Sequence, residues 1–514
     1  MTRIFTLFVL MVVSISISAQ RYVDEVFTDV DVETDIMYGA NIEVLTGAPV
    51  LVNLPLDVYT PAGDTATNRP LIIVFHTGNF LPPFVNGSIH GVKDDPYLVD
   101  MIQRLARRGY VVASADYRLG WNPISPEQDV RTETLINAAY RGVQDAHTAT
   151  RFFRKSIEEG NPYGINGEDV VLWGVGTGGY ITLAAGTIDE YNDIVLDKFI
   201  NSEQVPMVLE ALNGDPFGEA EAIINVPNHV GYSNDISMTV NVGGALGDTS
   251  WITANDAPII SYHVPTDPYA PYETDILIVP TTGDLVVEVS GSYDLQAKAN
   301  EFGINDVFNA GVYTDVYSTT ANARNDGNIG LFPFPRPSWD LDGDPATPPI
   351  EEGSPWVYWD AAFWSTQQPQ QCIDQGIPLD LCNWDLVSRQ DNPDASFAKA
   401  DAYMDSIVNY FVPRACVTLD LEECAGIYTG TKEVNLDASV ISVSPNPAAE
   451  YVMINSGEMT MNKVAVYGMN GQLYGLHNVN GSQYRLQKNN LPSGIYFVKA
   501  IFDEGIATQR VVFK

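Results

Sequence analysis

The sequence predicts an α/β protein: a mostly parallel sheet flanked by helices, followed by a small C-terminal β-sandwich. Three observations carry this. Short, wholly apolar runs alternate with amphipathic helical stretches as far as residue 413, the pattern of buried parallel strands joined by crossover helices. A glycine-rich turn, Gly174-Val-Gly-Thr-Gly-Gly179, joins one such run to a helical stretch. Beyond residue 430 the apolar period drops to two, punctuated by Gly, Asn and Pro, as in antiparallel strands with tight turns.

Taken in order, Leu54–Thr60 reads as a strand, and Leu71-Ile-Ile-Val-Phe75 as a strand buried on both faces. Tyr97–Arg107 is an amphipathic helix and Tyr110–Ser114 the next strand. Glu133–Lys155 is a long helix. Val170–Trp173 is a strand, and a helix starts at Tyr180 after the glycine-rich turn. Met238–Val242 and Pro258–Tyr262 are strands, and Ser396–Tyr410 closes the domain as a helix. In the tail, Val464–Tyr467, Ile495–Val498 and Val511–Phe513 are short strands, with a turn at Met469-Asn-Gly471.

Charge narrows the function classes. Sixty-five acidic against 27 basic residues leave a net charge of −38, which repels phosphate backbones and anionic membranes and argues against nucleic acid as a partner. The tail from 440 to 514 holds six basic and four acidic residues, so the acidity belongs to the rest of the chain. The N-terminus has a basic start, an apolar run from Ile4 to Val13 and a small residue, Ala19. That pattern reads as a secretory signal over residues 1–19. Four cysteines in an exported chain, Cys372, Cys382, Cys416 and Cys424, suggest local bridges within each neighbouring pair. No histidine lies near them and no Cys-x-x-Cys occurs, against zinc.

The tail motifs Ser442-Val-Ser-Pro-Asn-Pro447, Val464–Tyr467, Leu491-Pro-Ser-Gly-Ile-Tyr496 and Val511–Lys514 resemble a type IX secretion C-terminal sorting domain, type A. The resemblance implies a Bacteroidota source, the type IX machinery and a sorting peptidase as partners, and a secreted or surface location. The expected organisation is a signal peptide at 1–19, a main domain at 20–430 with long insertions, a linker at 431–439 and the sorting domain at 440–514.

The main domain's motifs also fall into a known order. His76-Thr-Gly-Asn-Phe80 and Asp116-Tyr-Arg-Leu119 follow strands, Gly174–Gly179 forms a strand–turn–helix, and Pro258–Asp267 is a strand and loop ending in an acid. This order resembles the α/β-hydrolase superfamily on its carboxylesterase and lipase side. The resemblance implies a nucleophile elbow centred on residue 176, an oxyanion loop at Gly78, Asn79 and the Thr177 N–H, and a triad acid at Asp267. The chemistry does not follow. Position 176 is Gly, without a hydroxyl, and Thr177 stands one residue late as a substitute nucleophile. After Asp267 the one histidine is His477, in the tail. His76 belongs to the oxyanion loop, and His263 precedes the acid.

Two further features invite a ligand. Asp340, Asp342 and Asp344 alternate as at the start of a calcium loop, but Pro345 takes the place of the turn glycine, so an acidic turn is an equal alternative. Trp339, Trp356, Tyr358, Trp359, Phe363 and Trp364 crowd one stretch, as a cover for the core or as a stacking platform. The sequence therefore points to an exported hydrolase-fold protein with degenerate catalytic positions and a binding or surface role for a small molecule or glycan. The alternatives are an active secreted carboxylesterase with an unorthodox nucleophile and base, and a purely structural surface component. No cofactor is expected, calcium aside.

Overall fold

The computed structural model describes residues 20–514 except 84, 87, 280–282, 336–337, 341–342, 348, 361, 363–368, 371, 374–375, 377, 380–382, 390, 429–435, 437, 458, 469–472, 489–490 and 503–504. The expected signal peptide, most of the expected linker, Asp342, Phe363, Trp364, Cys382 and the turn at 469–471 thus lie outside the described residues. The chain divides into two compact units between residues 428 and 429.

The first unit is built on an eight-stranded sheet. Its strands are β1 (Val30–Glu43), β2 (Val50–Pro61), β3 (Arg69–Phe75), β4 (Val111–Ala115), β5 (Ile165–Val175), β6 (Met238–Val242), β7 (Ile259–His263) and β10 (Leu331–Pro333), in the order β1-β2-β4-β3-β5-β6-β7-β10. The six strands from β4 to β10 are parallel, and β1 and β2 run antiparallel at one edge. The two missing strands of the count, β8 (Asp275–Ile278) and β9 (Leu285–Val289), pair with each other as a separate hairpin.

Alternation along β3 shows how the sheet fills two cores. Leu71, Ile73 and Phe75 pack on one face against Ala138, Val143 and Ala146 of α2 (Gln128–Glu158) and Ile181 of α3 (Thr177–Ala185). Ile72 and Val74 pack on the other against Leu98 and Ile102 of α1 (Pro96–Arg107) and Ile407 and Phe411 of the helix Phe397–Thr418. Every residue of β3 is buried, as a strand covered on both faces requires.

Several elements differ from the sequence reading. Strand β1 was not expected: its sequence, Val-Asp-Val-Glu-Thr-Asp, is polar and exposed because it lies at the sheet edge. Helix α3 starts at Thr177 rather than Tyr180, since its first turn is made by the glycines that read as a loop. The closing helix runs on to Thr418 with Pro413 inside it. In the aromatic stretch, Trp356 is buried against Phe334 in the main core, and Trp359 packs with Ile89, Cys372 and Trp384 in a satellite cluster. These two rings cover core instead of offering a platform.

Cys416 and Cys424 form the expected bridge. Cys372 is buried and disulfide-bonded as well. The second unit stacks a three-stranded sheet (Ser442–Ser444, Tyr451–Asn455, Gln483–Gln487) against a four-stranded one (Met461–Gly468, Leu473–Gly481, Gly494–Phe502, Gly505–Phe513), all antiparallel. Its own core contains Val452, Ile454, Val464, Val498 and Phe513.

Candidate functional site

The turn between β5 and α3 is a tight one. Gly176 sits there with φ +54° and ψ −116°, a conformation that side chains other than glycine adopt only under strain. Gly178 lets the helix approach the sheet: a Cβ there would meet the Phe75 carbonyl oxygen at 2.0 Å. At Gly176 the obstacle is a side chain. A Cβ on residue 176 would lie 2.2 Å from Thr77 Oγ1. The Thr77 hydroxyl therefore stands in the space that an elbow side chain needs, and it has no hydrogen-bond partner among the described residues.

The expected oxyanion loop wraps this point. Asn79 and Phe80 adopt φ of +52° and +53°, and Leu81 N donates to the Gly78 carbonyl. Asn79 N donates to Thr177 Oγ1 at 2.7 Å. Thr177 thus places its hydroxyl on the loop's own N–H, while the Thr177 N–H at the start of α3 carries no partner among the described residues. The loop is braced from outside by Trp121 Nε1 donating to the Asn79 carbonyl at 2.5 Å and by Asn86, whose amide reaches the His90 carbonyl.

Asp267 follows β7. Its Oδ1 accepts from Tyr269 N at 2.8 Å and Ala270 N at 3.1 Å, while Oδ2 has no donor among the described residues. Burial pushes this carboxyl up to about 8, and the nearby Asp391 carboxylate adds to the effect. A Cβ on Gly353 would lie 3.1 Å from Asp391 Oδ2 and 3.6 Å from Asp267 Oδ1, so one glycine separates the two acids. Burial pushes Asp391 up to about 6.

Five of the six histidines are engaged or lie elsewhere; the sixth, His90, lines the cavity described below. His76 is buried with Nδ1 on the Thr77 carbonyl and Nε2 3.2 Å from Asp116 Oδ1. Burial opposes its charge, yet the Asp116 contact holds its pKa above the ordinary value. His263 places Nδ1 on Ser292 Oγ at 2.7 Å and Nε2 on the Ala270 carbonyl at 2.9 Å. Both members of that His–Ser pair are fully buried, and burial lowers His263 to about 4. Neither lines the cavity described next. His147 is buried in α2 beside Phe217, His229 caps the Tyr38 carbonyl, and His477 lies in the tail unit.

Gly176, Thr177, Thr77, Gly78, Asn79, Asp267 and Asp391 open on one cavity of about 220 Å³. Its floor is apolar: Leu135, Ile136 and Val143 of α2, Ile188, Ile194, Phe199 and Trp251. The β8–β9 hairpin supplies Leu277, Ile278, Val286 and Val287 to the same wall. Backbone carbonyls hold that hairpin on α2: Arg131 and Thr132 donate to the Leu285 and Val286 oxygens. Sequence reasoning missed Thr77 as the elbow's occupant, and His90, Ser354 and Asp391 as cavity wall. The last two come from an insertion without periodic pattern, so no signal marked them.

Of the calcium candidates, Asp340 and Asp344 lie among the described residues and Asp342 does not. Asp340 Oδ1 accepts from Gly343 N and Asp344 Oδ1 from Ala346 N, as turns do. Among the described residues no group of three or more His, Cys, Asp or Glu side chains is placed to hold a metal, and no helix is long and apolar enough to cross a membrane.

Residues 56–299 match the BD-FAE family, and residues 442–514 match the secretion system C-terminal sorting domain. The chain carries an esterase-like α/β-hydrolase domain, BD-FAE, followed by a type IX sorting domain. The sorting domain indicates secretion or a cell-surface location and interaction with the type IX machinery. No curated protein matches the chain. Among solved structures, the chain is similar to Thermogutta terrifontis esterase 2 phosphorylated by paraoxon. That likeness has 20% identity over 47% of this chain and 73% of that one, with a TM-score of 0.28. The native enzyme from the same organism gives 17%, 47%, 72% and 0.29, and its cyclosarin-phosphonylated form 19%, 48%, 75% and 0.28.

Proposed function

We propose that this exported protein uses its BD-FAE cleft to bind an apolar-bodied small molecule without covalent ester hydrolysis. One observation carries the reading: the elbow position is Gly176, and the Thr77 hydroxyl fills the space where a nucleophile's side chain would stand. A serine-type esterase needs an activated hydroxyl, an imidazole to take its proton and an acid to orient that imidazole. Among the described residues no imidazole makes a hydrogen bond to a hydroxyl that lines the cavity. The apolar cavity itself is kept, with an unspent Thr177 N–H at its centre. Without nucleophile and base, binding and oxyanion donors supply ~10³–10⁴ over water, against ~10⁶ or more for working enzymes.

The purified protein should bind an environment-sensitive apolar dye and quench the fluorescence of Trp121 and Trp251, show negligible turnover of short-chain nitrophenyl esters, and form no adduct with a fluorophosphonate probe. A second reading, an active carboxylesterase with an unorthodox nucleophile, draws support from the unpartnered Thr77 hydroxyl at the elbow. Peptide mapping decides between them: a fluorophosphonate adduct on Thr77 with steady ester turnover establishes the second and rejects the first.

A further inference from the structure

The polar end of the cavity has a composition that selects among ligands. Its lining includes Asp267 and Asp391 and one histidine, His90, and no Lys or Arg among the described residues. The Asp391 carboxylate receives no hydrogen bond from another described residue, its backbone carbonyl accepting from Gly353 N, and Asp267 Oδ2 has no donor. Lys399, whose charge reaches Asp391, is already engaged: its Nζ contacts Glu352, Asn392 and Asp394.

His90 is an independent sign of an unmet partner. The residue is 9% exposed, and its Nε2 is buried without a hydrogen-bond partner among the described residues. Its Nδ1 faces Asp95 Oδ1 at 3.6 Å, which directs the ring's other nitrogen away from that carboxylate. A buried polar atom left unpaired is costly unless something completes it. His90 lines the same cavity, and Asp391 lies within its electrostatic reach.

The side-chain groups left unpaired at this end are two carboxyls, acceptors once ionised, and the His90 Nε2. A primary ammonium is the complementary group, a compact cation with three N–H donors and no acceptor. Toward Leu135, Ile136, Trp251 and the β8–β9 hairpin the walls turn apolar and suit a hydrocarbon or aromatic body. Resting on the binding role given above, we infer that the cleft binds a primary amine on an apolar body, its ammonium held by Asp267, Asp391 and His90. Burial holds both carboxyls above their ordinary range, and a bound cation would bring them back down.

The test is calorimetric titration of the full mature chain with three probes of one shape: 4-phenylbutylamine, 4-phenylbutan-1-ol and 4-phenylbutanoate. The amine is expected to bind about ten-fold or more tightly than the alcohol, and the carboxylate most weakly. Asp391→Asn and Asp267→Asn should erase the amine's advantage over the alcohol, with a cooperative thermal transition showing that each variant is folded. The wild-type ranking stands as a test even if a variant fails to fold. Equal binding of amine and alcohol, or tightest binding of the carboxylate, overturns the cation assignment and leaves the apolar-binding role standing. An amine preference that survives both substitutions overturns the assignment to these carboxylates. Failure of all three probes to bind rejects the binding role itself.

Discussion

At the scale of single residues, the elbow makes the sharpest claims. Restoring a hydroxyl by Gly176→Ser forces a Cβ to within 2.2 Å of Thr77 Oγ1 and places a side chain at φ +54°. Overpacking and backbone strain each cost ~1–3 kcal/mol, so urea denaturation should show a loss of at least about 2 kcal/mol. Adding Thr77→Ala to the same chain should recover the steric part and leave the strain. A Gly176→Ser variant as stable as the parent contradicts the packing described. Asp267 makes a second claim. Its folded value of about 8 lies above the ~3.9 of an unfolded aspartate, so the native state is the stronger proton binder between those values. Its contribution to stability is full below pH ~4 and is lost as pH rises through about 8. Asp391 faces it and shares that titration. Asp267→Asn cannot titrate, so its stability relative to the parent should rise between pH 5 and 8, by at most about 1.4 kcal/mol per pH unit. A difference flat with pH in chemical denaturation contradicts the burial of this carboxylate.

At the scale of elements, the central strands were legible because burial on both faces leaves an unmistakable apolar run: Met238–Val242 falls where the sequence placed it, and Leu71–Phe75 differs by the two residues that open β3. Edge strand β1 was not legible, because half-exposed backbone pairing at an edge places no demand on side-chain polarity. The strand–turn–helix around Gly176 was legible from its glycines. Its filling by Thr77 was not, since that contact joins residues 99 positions apart through the β3–β5 pairing. The motif Asp116-Tyr-Arg-Leu119 proves to be a clamp between elements. Arg118 and Asp145 of α2 are both fully buried, with Nε and the backbone N of Arg118 donating to the carboxylate. The guanidinium also reaches the Arg141 and Ile224 carbonyls and Gln144. Truncation to Met leaves an uncompensated buried carboxylate, which costs ~3–5 kcal/mol. Arg118→Met should show that loss by denaturation, and Arg118→Met with Asp145→Leu should regain part of it. If the double variant is no better than the single, the cost lies in the lost carbonyl contacts instead.

At the scale of the whole molecule, two units serve two tasks. The acidic charge and the cleft belong to the first. The second carries the sorting-domain motifs and closes a core of its own from Val452, Ile454, Val464, Val498, Val511 and Phe513. Its strands pair only with one another among the described residues, so no ladder of the first unit loses a neighbour when the tail is removed. A chain ending at Tyr428 keeps the eight-stranded sheet, both flanking cores and the Cys416–Cys424 bridge. It should therefore unfold cooperatively, at a temperature within a few degrees of the main transition of the full chain, and bind the same probes with the same affinity. Export should respond in the opposite way. The sorting domain is the part the type IX machinery recognises, so the truncated protein should fail to reach the cell surface or the medium although it is folded. Calorimetry and surface labelling read these two outcomes separately. Loss of the cooperative transition shows that the tail stabilises the first unit, and normal surface display shows that the export signal lies elsewhere in the chain.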